Sequence, residues 1–193
     1  MVRAAAFLDR DGVLSELVAD PASGAGESPL TVEQVRLIPG AAAAVSHLAQ
    51  AGYVPVCVSN QPAAAKGTVS VAQLVAVHER VISLLAREGA VLKSWRLCLH
   101  HAQGVVPELS RRCTCRKPAP GMLLDVADEL GIDLANSWMV GDTDGDIQAG
   151  RAAGCKTLLV RHPASVHKRS RGLSADIVVD SLIEGVKWMC SLR

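Results

Sequence analysis

Short apolar runs alternate with longer amphipathic stretches along this chain. Val2–Leu8, Val54–Val58, Ser94–Leu99, Ser137–Val140, Lys156–Val160 and Asp176–Val179 are brief and largely apolar, the pattern of strands buried on both faces. Helical stretches lie between them. One starts near Pro39 and stops at Gly52, with proline at the first turn and glycine after the last. Ser70 can cap a long helix in which Val71, Leu74, Val75, His78, Val81, Ile82 and Leu85 recur at helical spacing. Pro118 opens another, with Met122, Leu123, Val126, Ala127 and Leu130, ended by Gly131. Residues 144–153 form a fourth, closed by Gly154, and Leu182–Met189 a last one. Strands alternating with helices predict an α/β fold, a doubly wound parallel sheet covered on both faces. No repeat or linker divides the chain, so 1–193 reads as a single domain. Two stretches break the rhythm. Residues 15–38 are irregular, with turns marked by Asp20-Pro21, Ser23-Gly24 and Gly26, and residues 100–116 form a loop without periodicity.

Composition narrows the picture. At 49% apolar and 20% charged over 193 residues, the chain can form a core without staples. With one Phe, one Tyr and three Trp, that core must be filled by Ala, Val and Leu. A net charge of +1 argues against a nucleic-acid or membrane-surface binder. The basic run Lys168-Arg169-Ser170-Arg171 reads as a solvated loop. No stretch has the 18 or so uninterrupted apolar residues of a membrane span, and Met1–Phe7 runs straight into Asp9 without a signal peptide. The expected compartment is the cytoplasm, with the six cysteines reduced. Cys57, Cys155 and Cys190 sit singly among apolar residues and read as core.

In open parallel α/β sheets the site lies beyond the carboxyl ends of the strands. Here the first strand ends at Asp9-Arg10-Asp11-Gly12 and the second at Ser59-Asn60-Gln61. The Ser137 strand ends at Gly141-Asp142-Thr143-Asp144-Gly145-Asp146, and Lys117 precedes a helix start. Taken singly, each has a bland reading. Asp-Arg-Asp-Gly makes a good turn, Ser59-Asn60 can cap or turn the chain, Gly141-Asp142 can cap a helix, and a lone lysine is usually a solvated charge. Their order and strand-end placement make carboxylates, a hydroxyl and an ammonium meet in one pocket. On an extended segment residues two apart face the same way, so Asp9 and Asp11 are expected to share a target while Arg10 points away.

Phe7-Leu8-Asp9-Arg10-Asp11-Gly12-Val13, Ser59-Asn60-Gln61, Arg116-Lys117-Pro118 and Gly141-Asp142 through Asp146 resemble the four motifs of the haloacid dehalogenase (HAD) superfamily of phosphatases. The chain is most similar to its cap-poor branch, the heptose bisphosphate and histidinol-phosphate phosphatases. The resemblance implies a Rossmann-like HAD fold without a large cap domain and a Mg²⁺-dependent phosphatase of a sugar (bis)phosphate, with D-glycero-D-manno-heptose 1,7-bisphosphate as the expected substrate. Within it, Asp9 is the nucleophile that becomes an aspartyl-phosphate. Asp11 is the general acid and base, protonated at the outset, so that the two carboxyls need pKa values pushed apart. Mg²⁺ is held by Asp9, by the backbone carbonyl of Asp11 and by Asp142, with Asp146 in support. Ser59 and Lys117 hold the phosphoryl oxygens, Asn60 and Gln61 contact substrate or shape the pocket, and Arg116 reads the substrate. The branch is often monomeric, so a monomer is expected. The chain departs from this branch in its long, Gly- and Ser-rich 15–30 stretch and in Thr143, where many relatives carry a basic residue.

Cys98-Leu99-His100-His101 and Cys113-Thr114-Cys115 together offer three thiols and an imidazole, a closed structural Zn²⁺ set. The one-residue gaps are shorter than the commoner two to four, so a reduced surface cluster or an adventitious disulfide stays open on spacing alone. The heptose enzymes carry Cys-x-His and Cys-x-Cys at this spacing. That resemblance implies zinc on Cys98, His100, Cys113 and Cys115, with His101 as a competitor for His100. The 98–116 insertion is then a zinc-binding loop that places Arg116 and Lys117, and its closed site has no catalytic role.

Three rivals remain at this point. One is the same chemistry on histidinol phosphate or another small monoester. A second, from a different class, is a non-catalytic zinc-stabilised binding domain, although every catalytic position carries a competent residue. The third is a redox role for Cys113-Thr114-Cys115, which would demand a reversible disulfide.

Overall fold

The apolar runs form strands and the amphipathic stretches form helices in a computed structural model that describes residues 3–20, 23–170, 172 and 174–192. In chain order the strands are β1 (Ala5–Leu8), β2 (Val18–Ala19), β3 (Gly26–Glu27), β4 (Val54–Asn60), β5 (Ser94–Cys98), β6 (Trp138–Gly141), β7 (Lys156–Val160) and β8 (Ile177–Val179). The helices are α1 (Ala41–Gln50), α2 (Val71–Arg87), α3 (Gly121–Leu130), α4 (Asp144–Ala152) and α5 (Leu182–Ser191), with short 3₁₀ turns at Val32–Gln34 and Pro163–Lys168. Val2, Pro21 and Arg171, each part of an expected element, lie outside the described residues.

Six strands form one parallel sheet in the order β5-β4-β1-β6-β7-β8. Side chains of β1 alternate between its faces. Ala6 and Leu8 pack with Val45, Leu48, Val77, Val81 and Val186 from α1, α2 and α5. Ala5 and Phe7 pack against Met122, Leu123 and Val126 of α3 on the other face. Each fully buried Leu or Phe contributes roughly 1.5–3 kcal/mol by leaving water, so this double cover is what holds the central strand in place. Among the described residues no helix is long and apolar enough to cross a membrane.

Several boundaries differ from the sequence expectation. Ser70 caps α2 as expected, its hydroxyl accepting the Gln73 N–H at 3.1 Å. The first helix is capped by Gly40, not opened by Pro39. The third begins at Gly121 instead of Pro118, because the backbone first turns, with Ala119 N–H donating to the Arg116 carbonyl at 2.8 Å. The irregular 15–38 stretch contains an antiparallel pair, β2 with β3. Two residues per strand are too few to show periodicity, so the hairpin was invisible to pattern reading. Lys168, the first residue of the basic run, ends a 3₁₀ turn, and Arg169 and Ser170 follow it in irregular backbone.

Candidate active site and cysteine cluster

β1 lies between β4 and β6, so the three motif-bearing strand ends are neighbours. Asp9 still belongs to the ladder, its N–H donating to the Val140 carbonyl at 2.9 Å. Beyond it the chain turns sharply, and the Arg10 carbonyl accepts from Leu14 N–H at 2.9 Å and Ser15 N–H at 2.8 Å. Gly12 makes the turn possible. Its φ is +88°, and a Cβ there would lie 2.2 Å from Asp142 Oδ2. The tip of β1 is thereby pressed onto the tip of β6.

Carboxylate oxygens of Asp9, Asp142 and Asp146 lie within 4.8 Å of one another. Lys117, also buried, reaches into this group, with Nζ 2.9 Å from Asp9 Oδ1 and 2.6 Å from Asp146 Oδ1. A third bond goes to the Val58 carbonyl at 2.8 Å. Asn60 fixes the backbone of that lysine. Its Nδ2 donates to the Lys117 carbonyl at 2.9 Å, and its Oδ1 accepts the Lys117 N–H at 3.0 Å. Asp146 also accepts from Thr143 N–H at 3.1 Å and Thr143 Oγ1 at 2.6 Å, the capping box that starts α4. Thr143 thus serves the helix start.

Asp11 faces the same cavity, but its carboxylate is held from behind. Arg10 donates Nε to Oδ1 and Nη2 to Oδ2, each at 2.9 Å, while Gln61 Nε2 donates to Oδ2 at 2.7 Å and Ser15 Oγ to Oδ1 at 3.1 Å. Asp9 and Asp11 line the cavity and Arg10 does not, the arrangement that strand alternation suggested. Arg10 is fully buried and folds back on Asp11. Gln61 is also buried, its amide shared between Asp11 and Ser59 Oγ at 3.0 Å, so it shapes the pocket from behind.

In the metal-free site the electrostatics push the two carboxyls apart. Burial pushes Asp9 up to about 6; Lys117 opposes this, and the charges of Asp146 and Asp11 reinforce it. Burial also acts on Asp11, but the Arg10 guanidinium outweighs it and holds that carboxyl below its ordinary value. Asp142 is pushed up to about 8 by burial and by the negative charges of Asp9 and Asp146. Crowded carboxylates of this kind ask for a cation. Asp142 Oδ1 is buried without a hydrogen-bond partner among the described residues, and the set is all hard oxygen, so these residues fit a divalent ion such as Mg²⁺.

A cavity of about 280 Å³ opens above the carboxylates. Ser59, Asn60, Arg116 and Lys117 line it with Asp9, Asp11 and Asp142. So do Leu17, Glu27, Ser28, Lys66 and Lys168, which sequence reasoning did not single out. Lys66 follows the second strand end by six positions, and a lysine so close to a motif was the available signal. Leu17, Glu27 and Ser28 arrive on the hairpin, and Lys168 comes from far along the chain.

Cys98, His100, Cys113 and Cys115 converge beside this cavity's Arg116. Their sulfurs are 3.1–3.6 Å apart, and His100 Nδ1 lies 3.4 Å from Cys115 Sγ and 3.9 Å from Cys98 Sγ. Four thiolate or imidazole ligands around one zinc ion at bonds of about 2.0–2.3 Å stand roughly 3.3–3.8 Å apart, so the donor set fits. His101 is turned elsewhere, its Nδ1 accepting the Gln103 N–H at 3.2 Å. The loop tip reaches back over the second motif, with Val105 and Val106 N–H both donating to the Ala65 carbonyl, at 2.7 and 3.1 Å.

Comparison with known proteins agrees with this geometry. Residues 114–185 match the HAD-hydrolase-like family model. A D-glycero-β-D-manno-heptose-1,7-bisphosphate 7-phosphatase of Rhodopseudomonas palustris is 38% identical over 152 residues, covering 79% of this chain and 80% of the relative. The Escherichia coli K12 enzyme of the same name is 36% identical over 184 residues, covering 93% and 90%. The crystal structure of D,D-heptose 1,7-bisphosphate phosphatase from B. bronchiseptica, in complex with magnesium and phosphate, superposes with a TM-score of 0.82. It is 28% identical, with 98% of this chain and 99% of that one covered. A parallel sheet with crowded carboxylates at its central strand ends, together with relatives matched over most of their length, shows that the chain belongs to the D-glycero-D-manno-heptose-1,7-bisphosphate 7-phosphatase family of HAD-like hydrolases.

Proposed function

We propose that the protein is a Mg²⁺-dependent phosphatase that removes the 7-phosphate of D-glycero-D-manno-heptose 1,7-bisphosphate through a phospho-aspartate on Asp9. The observation that carries this reading is the contact of Asp9 with Lys117 inside a ring of buried carboxylates at the mouth of a polar cavity. Asp9, Asp142 and the backbone carbonyl of Asp11 would hold the Mg²⁺, with Asp146 securing Lys117. When bound, the ion neutralises charge on the carboxylates and phosphoryl oxygens and keeps Asp9 ionised.

The chain's own residues then divide the work. Asp9 attacks phosphorus, the bond from phosphorus to the sugar oxygen breaks, and the leaving oxygen takes a proton from Asp11. In the second half, water attacks phosphorus and gives its proton to Asp11, the bond from phosphorus to the Asp9 oxygen breaks, and inorganic phosphate leaves with the Asp9 carboxylate restored. Asp11 is held ionised by Arg10, which suits the second half. Approach of a dianionic phosphate favours protonation of the facing carboxyl, which equips it for the first half. Ser59 Oγ and Lys117 Nζ line the cavity where phosphoryl oxygens must sit, and Arg116 contacts the rest of the substrate. The four cysteine and histidine residues would bind a structural Zn²⁺ that fixes the loop carrying Arg116.

The test is a phosphate-release assay with Mg²⁺ on the heptose bisphosphate, histidinol phosphate, a panel of other sugar phosphates and p-nitrophenyl phosphate. Preference for the heptose bisphosphate and loss of all turnover in Asp9→Asn support the reading. Preference for another monoester removes the substrate, and turnover by Asp9→Asn removes the mechanism. Zinc in the isolated protein, measured by elemental analysis, tests the cysteine cluster.

A further inference from the structure

We infer that Lys168 is a specificity-determining residue that holds the substrate's second anionic group, the phosphate distal to Asp9. This deepens the proposed function and rests on it. The 3₁₀ turn that carries Lys168 is anchored on both sides. Ser165, fully buried, donates Oγ to the carbonyl of Asp142 at 3.2 Å. Ser170 donates N–H and Oγ to Asp144 Oδ2 at 2.7 and 2.6 Å, at the start of α4. The turn is therefore tied to the β6 end that bears the candidate metal ligand.

The hairpin completes the arrangement. Gly26 lies so close to this turn that a Cβ would sit 2.7 Å from Ala164. Lys168 Nζ donates to the Gly26 carbonyl at 2.9 Å and lies 3.4 Å from Glu27 Oε2. The next residue, Ser28, hydrogen-bonds Asp11. One short strand end thus touches both the reacting carboxylate and the distal lysine.

Charge balance says why an anion belongs there. Lys117 is occupied by Asp9 and Asp146, both buried. Among the described residues the ion-pair partner of Lys168 is Glu27, at 3.4 Å and half-exposed. Such a pair is weak in water, so a phosphate can replace it at little cost, whereas the buried pairs of Lys117 are costly to break and keep it beside Asp9. Lys66 and Arg116 line the same cavity without an ion pair among the described residues, and they add positive charge for a second phosphate.

Lys168→Met, Lys168→Arg and Glu27→Gln, each checked for folding by thermal melting, test the assignment. For each protein kcat/KM is measured on the heptose 1,7-bisphosphate and on the heptose 7-phosphate, which lacks the distal group. Lys168→Met is expected to lower the bisphosphate-to-monophosphate ratio ~10-fold, the loss of one charge-assisted hydrogen bond, chiefly through KM. Lys168→Arg restores most of it, and Glu27→Gln raises the ratio about twofold by freeing the lysine. A Lys168→Met ratio equal to that of the wild type, or equal losses on both substrates, overturns the assignment and leaves the phosphatase reading intact. A wild type that hydrolyses p-nitrophenyl phosphate but neither heptose overturns the substrate and, with it, this role.

Discussion

Arg10 grips Asp11 with two parallel hydrogen bonds, Nε to Oδ1 and Nη2 to Oδ2, both 2.9 Å long and shut away from solvent. Two-pronged contact of this kind is specific to a guanidinium. Arg10→Lys keeps the charge and loses a prong, so kcat/KM on p-nitrophenyl phosphate is expected to fall about tenfold to a hundredfold, as for a lost charge-assisted bond of ~1.5–3 kcal/mol. Arg10→Met leaves a buried carboxylate unpaired, and denaturant melts should show a loss on the order of 3–5 kcal/mol.

Lys117 carries a different load. Its ammonium bridges Asp9 and Asp146, and Asn60 holds its backbone. Lys117→Met is expected to lower kcat about 10²–10³-fold, the usual cost of one transition-state donor. Asn60→Ala should give a smaller loss in kcat, since it displaces the lysine without deleting it. Steady-state kinetics on both variants check the ranking.

Magnesium should stabilise the metal-free protein, and more so at higher pH. Asp9 is raised to about 6 and Asp142 to about 8, from 3.8. Raised carboxyls contribute stability that is present below the unfolded value near 3.8 and lost as pH climbs through 6 and 8. A divalent cation replaces the missing protons. The rise in Tm on adding Mg²⁺ should therefore be larger at pH 8 than at pH 5, and Asp142→Asn should abolish the difference.

His78 gives the opposite slope. It is fully buried against Trp95, and neither ring nitrogen has a hydrogen-bond partner among the described residues. Burial, helped by the nearby Arg10 charge, pushes it down from 6.5 to about 4. A lowered folded value means stability that is present above pH 6.5 and lost as pH falls toward 4, on the order of 3 kcal/mol for this shift. Comparing wild type with His78→Leu across that window isolates the effect. The variant should lose less stability on acidification.

Removal of metal from the cysteine cluster should act on substrate binding before chemistry. Arg116 adjoins Cys115, and the loop tip grips Ala65, next to Lys66. Lys117 has its own clamp in Asn60. After strong chelation and Mg²⁺ repletion, KM is expected to rise more than kcat falls. Hydrogen exchange should quicken across 98–116 and at Val105 and Val106.

Much of this molecule is legible in its sequence. The six sheet strands are apolar runs because both faces are covered, and that pattern is local. The helices were readable from spacing, and α2 from Ser70 as well. Asp9, Asp11, Ser59, Lys117 and Asp142 were singled out because parallel sheets place ligands beyond their carboxyl ends, and all five line one cavity. Side-chain chemistry drew attention to the cysteines and histidines of this loop, the resemblance to the heptose enzymes picked His100 over His101, and Cys98, His100, Cys113 and Cys115 do meet.

Other features required the third dimension. Arg10 curls back onto Asp11, a buried side-chain pairing between sequence neighbours that neither period nor motif spacing reports. Lys168 reads as one charge in a solvated run until the β2–β3 hairpin is laid beside it, about 140 residues earlier in the chain. Periodicity and motif spacing report what a segment does with its own neighbours and with water. Which distant charges share one low-dielectric cavity, and which of them are already neutralised, is decided only when the sheet brings them together, because Coulomb energies depend on separation and burial in space and not along the chain.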